Sequence, residues 1–285
     1  MRSEGTAEWV TDLILDLWNS PENDMRMAEP EKAWDAPLVG FANGADPIWA
    51  QYKSVVGPFH WTPLEAFAQA FPDVSVRPEA LTVVSWILPQ TEATKQDQRV
   101  EHVYPAERWA RTRIFGEEFN HQLRVQLAEQ FTVAGYPAVA PVETVHWGTR
   151  ESEQYVYAST WSERHAAYAA GLGTFGLCDG LITPKGKAMR AGSLVVRLSL
   201  PASPRPYTDH RAYCLFYSEG TCGECIDRCP VGALSAQGHD KVACKAHLDR
   251  TRTYVGEHYG FEGYGCGLCQ VDVPCESAIP QRMKA

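Results

Sequence analysis

The chain is short of positive charge, of long apolar runs and, over most of its length, of cysteine. Lysine and arginine number 26 against 35 aspartates and glutamates, a net charge of −9. Phosphate contacts need clustered Lys and Arg, so this balance argues against a broad nucleic-acid-binding face, and nucleic acid is not an expected partner. No apolar run has the length needed to cross a bilayer by a helix, and a membrane is not an expected partner. The opening Met1-Arg-Ser-Glu-Gly5 is polar and lacks the apolar centre of a secretory leader. A reducing, cytoplasmic compartment is the expectation. Internal repeats are absent. The 285 residues allow one large domain and a small module.

What the chain does have is a concentration of thiols near its end. Of nine cysteines, Cys178 stands alone and the other eight lie from Cys214 onward. Cys222-Gly-Glu-Cys225-Ile-Asp-Arg-Cys229-Pro230 is the run by which bacterial-type ferredoxins hold iron, and in such runs the last cysteine serves the other cluster. Cys222 and Cys225 therefore need two more ligands. Glu219 occupies the usual upstream position, so Cys214 is the nearest thiol and Cys275 the simplest fourth. Cys229 then joins Cys244, Cys266 and Cys269. The expectation is two [4Fe-4S] clusters with four thiolates each. Two zinc sites share the paired Cys-x2-Cys spacing and stay open as an alternative. Disulfides fit poorly with an odd count and no leader.

Ahead of the thiols, strand and helix patterns alternate. Trp9, Val10, Leu13, Ile14 and Leu17 mark a helix over residues 7–18, and Thr62-Pro-Leu-Glu65 opens another with a capping box. Ala80–Leu88 is continuously apolar, as in a central strand covered on both faces. Phe119, Leu123, Leu127 and Phe131 repeat every four residues, a helix face. Thr160-Trp-Ser-Glu163 has the form of a second capping box, and Ser193–Leu200 alternates as a strand with one polar face. Pro201–Pro206 is a proline-rich linker, dividing the chain into domains 1–205 and 206–285. The fold class expected is α/β.

Gly171, Gly173 and Gly176 follow a helix and permit close backbone approach to a ligand. They precede an apolar run, the reverse of the dinucleotide-binding order, so that fingerprint is excluded. Lys185, Lys187 and Arg190 come next and can hold an acidic cofactor tail. Cys178, beside the glycine turn and near Lys185, is either a reactive thiolate or an inert buried residue.

Glu163-Arg164, the segment Ala170-Gly-Leu-Gly173-Thr-Phe-Gly176, Leu181-Ile182 and the cysteine module together resemble the epoxyqueuosine reductases and reductive dehalogenases. The resemblance implies a nitroreductase-like domain that binds a corrinoid, cobalamin, and a ferredoxin-like module supplied by an external ferredoxin or flavodoxin. By that resemblance Ala170, Gly171, Leu172, Gly173, Gly176 and Lys185 are the cofactor-binding candidates. No Asp-x-His-x-x-Gly segment is present, so a corrinoid would be bound without that lower histidine ligand.

This chain also departs from the family. Tyr157 stands where the epoxyqueuosine reductases carry their proposed aspartate acid, as in the dehalogenases, and is the candidate catalytic proton donor. Arg111, Arg113 or Arg164 would lower its pKa. Phe119-Asn120 replaces a tyrosine-histidine pair, and Leu177-Cys178 replaces a lysine and a polar residue. Only ten residues follow Cys275, without the family's tRNA-binding extension. The expectation is an iron-sulfur, corrinoid-dependent reductase of a small organic substrate. An electron carrier or corrinoid-handling protein without turnover, or a flavin-dependent reductase, would share these residues.

Overall fold

The computed structural model describes residues 4–281. The first half holds α1 (Ala7–Trp18), β1 (Leu38–Asn43), α2 (Ile48–Val55), α3 (Pro63–Ala70), β2 (Thr82–Pro89), α4 (Glu92–Arg99), α5 (Glu107–Arg111) and α6 (Glu117–Val133). Then come β3 (Ala138–Val139), β4 (Thr149–Ser152), β5 (Val156–Ser159), α7 (Glu163–Ala169), β6 (Thr174–Phe175), β7 (Leu181–Ile182) and β8 (Met189–Val196). The cysteine-rich part holds α8 (Leu215–Ser218), α9 (Glu224–Asp227), β9 (Leu234–Ser235), β10 (Gly238–His239) and α10 (Lys241–Tyr259).

A four-stranded sheet in the order β1-β2-β8-β3, antiparallel throughout, organises the larger part. All eight residues of β2 are buried. Side chains alternate across a strand, so Val83 and Ile87 enter one core with α2, α3 and α7, while Val84, Trp86 and Leu88 enter another with α1 and α6. Cover on both faces explains the unbroken apolar run of β2. Such runs are commonest in parallel sheets, but an antiparallel strand needs one equally when helices lie on both sides.

Helix ends follow local chemistry. Thr6 Oγ1 accepts from Trp9 N at 3.1 Å to start α1. The capping box at α3 is complete, with Thr62 Oγ1 accepting from Glu65 N at 3.2 Å and Glu65 Oε2 accepting from Thr62 N at 2.7 Å. Asp240 Oδ1 caps α10 through Val242 N at 2.9 Å and Ala243 N at 3.0 Å. A π-helical turn, Thr112–Gly116, joins α5 to α6. Its Gly116 carbonyl accepts from Trp34 Nε1 at 2.9 Å.

Two expectations are corrected. The capping box at Thr160–Glu163 does not form, because Thr160 Oγ1 accepts from Gly148 N at 3.2 Å and Ser162, the N-cap residue, makes no cap bond. The carboxylate of Glu163 points elsewhere, as described below. Strand β8 begins four residues earlier than its alternation suggested and is buried at Ser193 as well as Leu194. Ser193 is buried there because it pairs with Trp161 Nε1 at 3.0 Å.

The cysteine-rich part is tied to the larger part through the turn after β7. Thr183 bridges Gly186, whose φ of +80° lets the chain reverse. Lys187 N and Ala188 N then donate to Cys275 O at 2.9 Å and Glu276 O at 3.2 Å.

Candidate functional site

Two adjacent cavities form where the cysteine-rich part meets the sheet domain. The first is largely enclosed and is lined by Cys214, Cys222, Cys225 and Cys275, with Leu177, Ile182, Phe216 and Lys187. These four thiols lie at the end of a loop, on either side of α9's start, and in the segment that pairs with Lys187. Burial pushes the Cys225 thiol up to about 12 and the Cys275 thiol to about 11. Any metal bound there must displace those protons, which couples loading to pH. Among the described residues no three such side chains meet at one point, as a single-ion site requires. Thiolates that hold a polynuclear cluster each take a separate iron and spread around a cavity, and a lining of four thiols has the donor set for that.

The remaining thiols form a second neighbourhood. Cys266, pushed up to about 11 by burial, is influenced by Cys244 and Cys229, and Cys269 interacts with Cys266. Cys229 Sγ accepts from Ala233 N at 3.2 Å. His239 is pushed up to about 9, by Asp179 first and then Cys244.

The second cavity, about 610 Å³, is open. One wall carries Trp147 and Trp161, another Leu181, Met189 and Ala191, and its charged lining is Glu117, Arg124, Glu143, Glu163, Arg164 and Arg190. Cys178, Lys187 and Cys269 form the side next to the thiols. Arg124, only 4% exposed, is the hub of this lining. It donates to Glu143 Oε1 at 2.8 Å and Glu117 Oε1 at 3.1 Å, and its Nε lies 3.3 Å from Glu163 Oε1. Arg190 also binds Glu117. Burial alone would raise Glu117, but Arg190 and Arg124 hold it below the usual carboxylate range. Glu163 behaves oppositely. Burial pushes its carboxyl up to about 7 against the pull of Arg124 and the Ser193 hydroxyl. A proton held near neutral pH at the wall of a cavity is the arrangement of a general acid.

No family model matches the chain. It is 32% identical over 130 residues to the epoxyqueuosine reductase of Bacillus anthracis, spanning 44% of this chain and 32% of that protein. The match to the Staphylococcus aureus epoxyqueuosine reductase is 34% over 136 residues, 45% of this chain and 33% of that protein. In three dimensions it aligns with an epoxyqueuosine reductase solved with an epoxyqueuosine-modified tRNA-Tyr stem loop, at a TM-score of 0.50 and 17% identity. That alignment covers 97% of this chain and 67% of the other. Over the stretch matched in sequence the chain is similar to the epoxyqueuosine reductases. The matched stretch spans about a third of the length of these reductases.

This overturns the expectation that nucleic acid is no partner of such a protein, since an epoxyqueuosine reductase of the same fold was solved with a tRNA stem loop. The net charge of −9 misled because it averages over the whole surface. Arg164, His121 and the 41%-exposed Trp147 line the open cavity.

Relative to its epoxyqueuosine reductase resemblance, the chain places several site candidates away from the open cavity. Ala170 and Leu172 pack into the core under the sheet. A side chain at Gly171 or Gly173 would strike Pro204 O at 2.3 Å or Ile182 O at 2.2 Å, so these glycines admit the chain's own backbone. A side chain at Gly176 would lie 3.4 Å from Ile182, in ordinary contact, and Gly176 lines the enclosed cavity. Lys185 Nζ donates to Ala36 O at 2.9 Å. Tyr157 sits on the β4–β5 hairpin, its hydroxyl donating to Lys241 O at 3.2 Å. The expected cationic neighbour is not one of the three arginines. Arg111 pairs with Glu107, Arg113 with Tyr264, and Arg164 with Asp179 O. The Tyr157 hydroxyl is accordingly raised, by burial and then Cys244, where a lowered value was expected.

Cys178 is not a lone thiol. Its Sγ lies 3.5 Å from Lys187 Nζ and it is held well below its ordinary pKa, first by a hydrogen bond from Cys269 and also by Lys187. Asn120, at the departure from the family's helix opening, accepts from Trp86 Nε1 at 2.9 Å and donates to Ala191 O at 3.2 Å, locking α6 to the sheet. Sequence reasoning used Glu163 as a cap and passed over Arg124. The available signal was polar periodicity: Glu117, Asn120 and Arg124 fall at i, i+3 and i+7 on one face of α6.

No helix among the described residues is long and apolar enough to cross a membrane.

Proposed function

We propose that the chain is an oxidoreductase of the epoxyqueuosine reductase kind: a nitroreductase-like domain, residues 1–205, with a ferredoxin-like module, residues 206–285. Cys214, Cys222, Cys225 and Cys275 would hold one [4Fe-4S] cluster, and Cys229, Cys244, Cys266 and Cys269 the other. The observation that carries this reading is the adjacency of a four-cysteine cavity to an open one that holds a carboxyl titrating near 7. Bound clusters supply single electrons, and an external ferredoxin or flavodoxin would replenish them in a reducing, cytoplasmic compartment.

The open cavity, about 610 Å³, lies in the range of small-molecule sites and is open on one side, so a larger group would extend beyond it. Its apolar wall, Leu181, Met189 and Ala191, suits the face of a corrinoid, and Arg164 and Arg190 can meet the amide- and phosphate-bearing tails. A corrinoid there would supply two-electron reducing chemistry. The chain's own contribution is proton handling and orientation. The Glu163 carboxyl holds the proton, Ser193 Oγ fixes it through Oε2, and Arg124, bonded also to Glu143, holds Glu117 ionised beside it. Glu163 thus takes the acid role expected of Tyr157. Trp147 at the rim offers a flat surface for a base, and the substrate class we propose is a modified nucleoside presented by RNA.

The test is anaerobic reconstitution of the full chain. Iron and sulfide near eight of each per chain, stoichiometric corrinoid uptake, and reduction of an epoxyqueuosine-bearing stem loop with dithionite as donor would support the reading, the ligand number following from four thiolates per cluster. Zinc without sulfide would overturn the clusters, and FMN uptake without corrinoid would make it a flavin enzyme.

A further inference from the structure

Lys187 lines both cavities. It is 2% exposed, and its ammonium lies 3.5 Å from Cys178 Sγ. Its backbone is fixed by the bond from Lys187 N to Cys275 O at 2.9 Å, so the side chain starts beside one of the four cysteines of the enclosed cavity. A lysine is almost never fully buried without compensation, and this one carries its charge into a wall otherwise built of Leu177, Ile182 and thiols.

We infer that Lys187 sets the reduction potential of the cluster held by Cys214, Cys222, Cys225 and Cys275. This rests on the proposed cluster ligation. Reduction adds one electron, and so one negative charge, to a cluster without changing its ligands. A fixed cation at the cavity wall stabilises the added charge, and burial strengthens that attraction because little water screens it. Net charge and hydrogen bonding near the sulfurs are the levers by which a protein moves such potentials. Lys187 shares the enclosed cavity with all four of its cysteines and is bonded at its backbone to Cys275, whereas of the other four thiols only Cys269 lines a cavity with it. The effect therefore falls chiefly on the enclosed-cavity cluster, which is raised more than its partner.

The full chain, reconstituted without oxygen, is titrated with dithionite, which delivers one electron per cluster, while spin resonance follows each reduced cluster. Lys187→Met should shift one midpoint to more negative potential and leave the other nearly in place, whereas Lys187→Arg, which keeps the charge, should stay near the wild type. Lys187→Gln, which keeps a polar group beside Cys178, should shift in the same direction as Lys187→Met and guards against a folding failure of the apolar variant. Normal iron and sulfide with both midpoints unmoved in the Met and Gln variants would overturn the role of Lys187. An equal shift of both midpoints would overturn its assignment to one cluster. Wild-type protein without iron and sulfide would instead remove the cluster reading on which the inference stands.

Discussion

Arg124 Nε lies 3.3 Å from Glu163 Oε1, yet both atoms are buried and neither makes a hydrogen bond. The guanidinium spends its directed bonds on Glu117 and Glu143, leaving Glu163 Oε1 with attraction but no donor, while Ser193 Oγ donates only to Oε2. Burial then prevails, and the carboxyl keeps its proton up to about pH 7.

Replacing Glu163 by Gln tests this directly. A positioned acid is worth about 10²- to 10⁴-fold in rate, so turnover should fall by about 10²-fold or more, with substrate binding much less affected. The stability effect has a definite sign. A carboxyl raised from 4.5 to about 7 in the folded state favours folding below its unfolded pKa, and that contribution is lost as pH rises through 7. The loss is about 3 kcal/mol at most, at 1.36 kcal/mol per pKa unit. Urea unfolding at pH 5 and pH 8.5 should show a flatter pH dependence for Glu163→Gln than for the wild type. Parallel curves would refute the raised carboxyl.

Arg124→Met removes the hub and leaves Glu117, Glu143 and Glu163 facing one another. Breaking a buried ionic cluster by deleting one partner destabilises by about 3–5 kcal/mol. Chemical denaturation should register a loss of that order, larger at pH 8 than at pH 5 because the carboxylates repel only when ionised. A loss below about 1 kcal/mol would mean the network is solvated.

Legibility differed between periodic and convergent features. Helix α1 and the strand of Thr82–Pro89 were readable because burial repeats along the chain with the period of the backbone. The thiols stood out in the sequence because cluster ligation imposes short local intervals, and Cys214, Cys222, Cys225 and Cys275 line one cavity. Glu163, Arg124 and Lys187 were not readable as a site. They come from α7, α6 and the turn after β7, and only the tertiary fold sets a carboxyl against a buried guanidinium. Gly171 and Gly173 show the converse error: close approach was foreseen correctly, but the approaching group is the chain's own backbone.

His60 is the acid-labile counterpart of Glu163. It is 1% exposed, stacked 6.1 Å from Trp161 and edge-on 5.4 Å from Tyr52, and neither ring nitrogen has a hydrogen-bond partner. Burial lowers its pKa from 6.5 to about 4. The unfolded chain therefore binds a proton that the folded one refuses, and stability falls as pH drops from 6.5 through 4, by about 3 kcal/mol at most. His60→Phe should remove most of that slope while leaving stability at pH 7.5 within about 1 kcal/mol, since an aromatic ring of similar shape refills the site. An unchanged acid limb in thermal melts between pH 4 and 7 would assign the slope to other groups, His165 first.

Gly186 turns the chain between β7 and β8 at a φ of +80°, and an added Cβ would stand 1.9 Å from Glu276 O and 2.4 Å from Ser277 N. Neither obstacle is a side chain that can swing away. Gly186→Ala must push the segment of Cys275 and Glu276 off the turn, breaking the bonds from Lys187 N and Ala188 N and opening the Arg99–Glu276 ion pair behind them. The sheet domain has its own two cores and does not depend on this seam. The expected result is therefore selective: far-ultraviolet dichroism close to wild type, easier proteolysis in the cysteine-rich part, and reconstituted iron reduced by about half as the Cys275 cavity loses one wall. Full iron loading with an unchanged digestion pattern would show that the turn can shift without disturbing the thiols, and would separate the geometry of Gly186 from the site it borders.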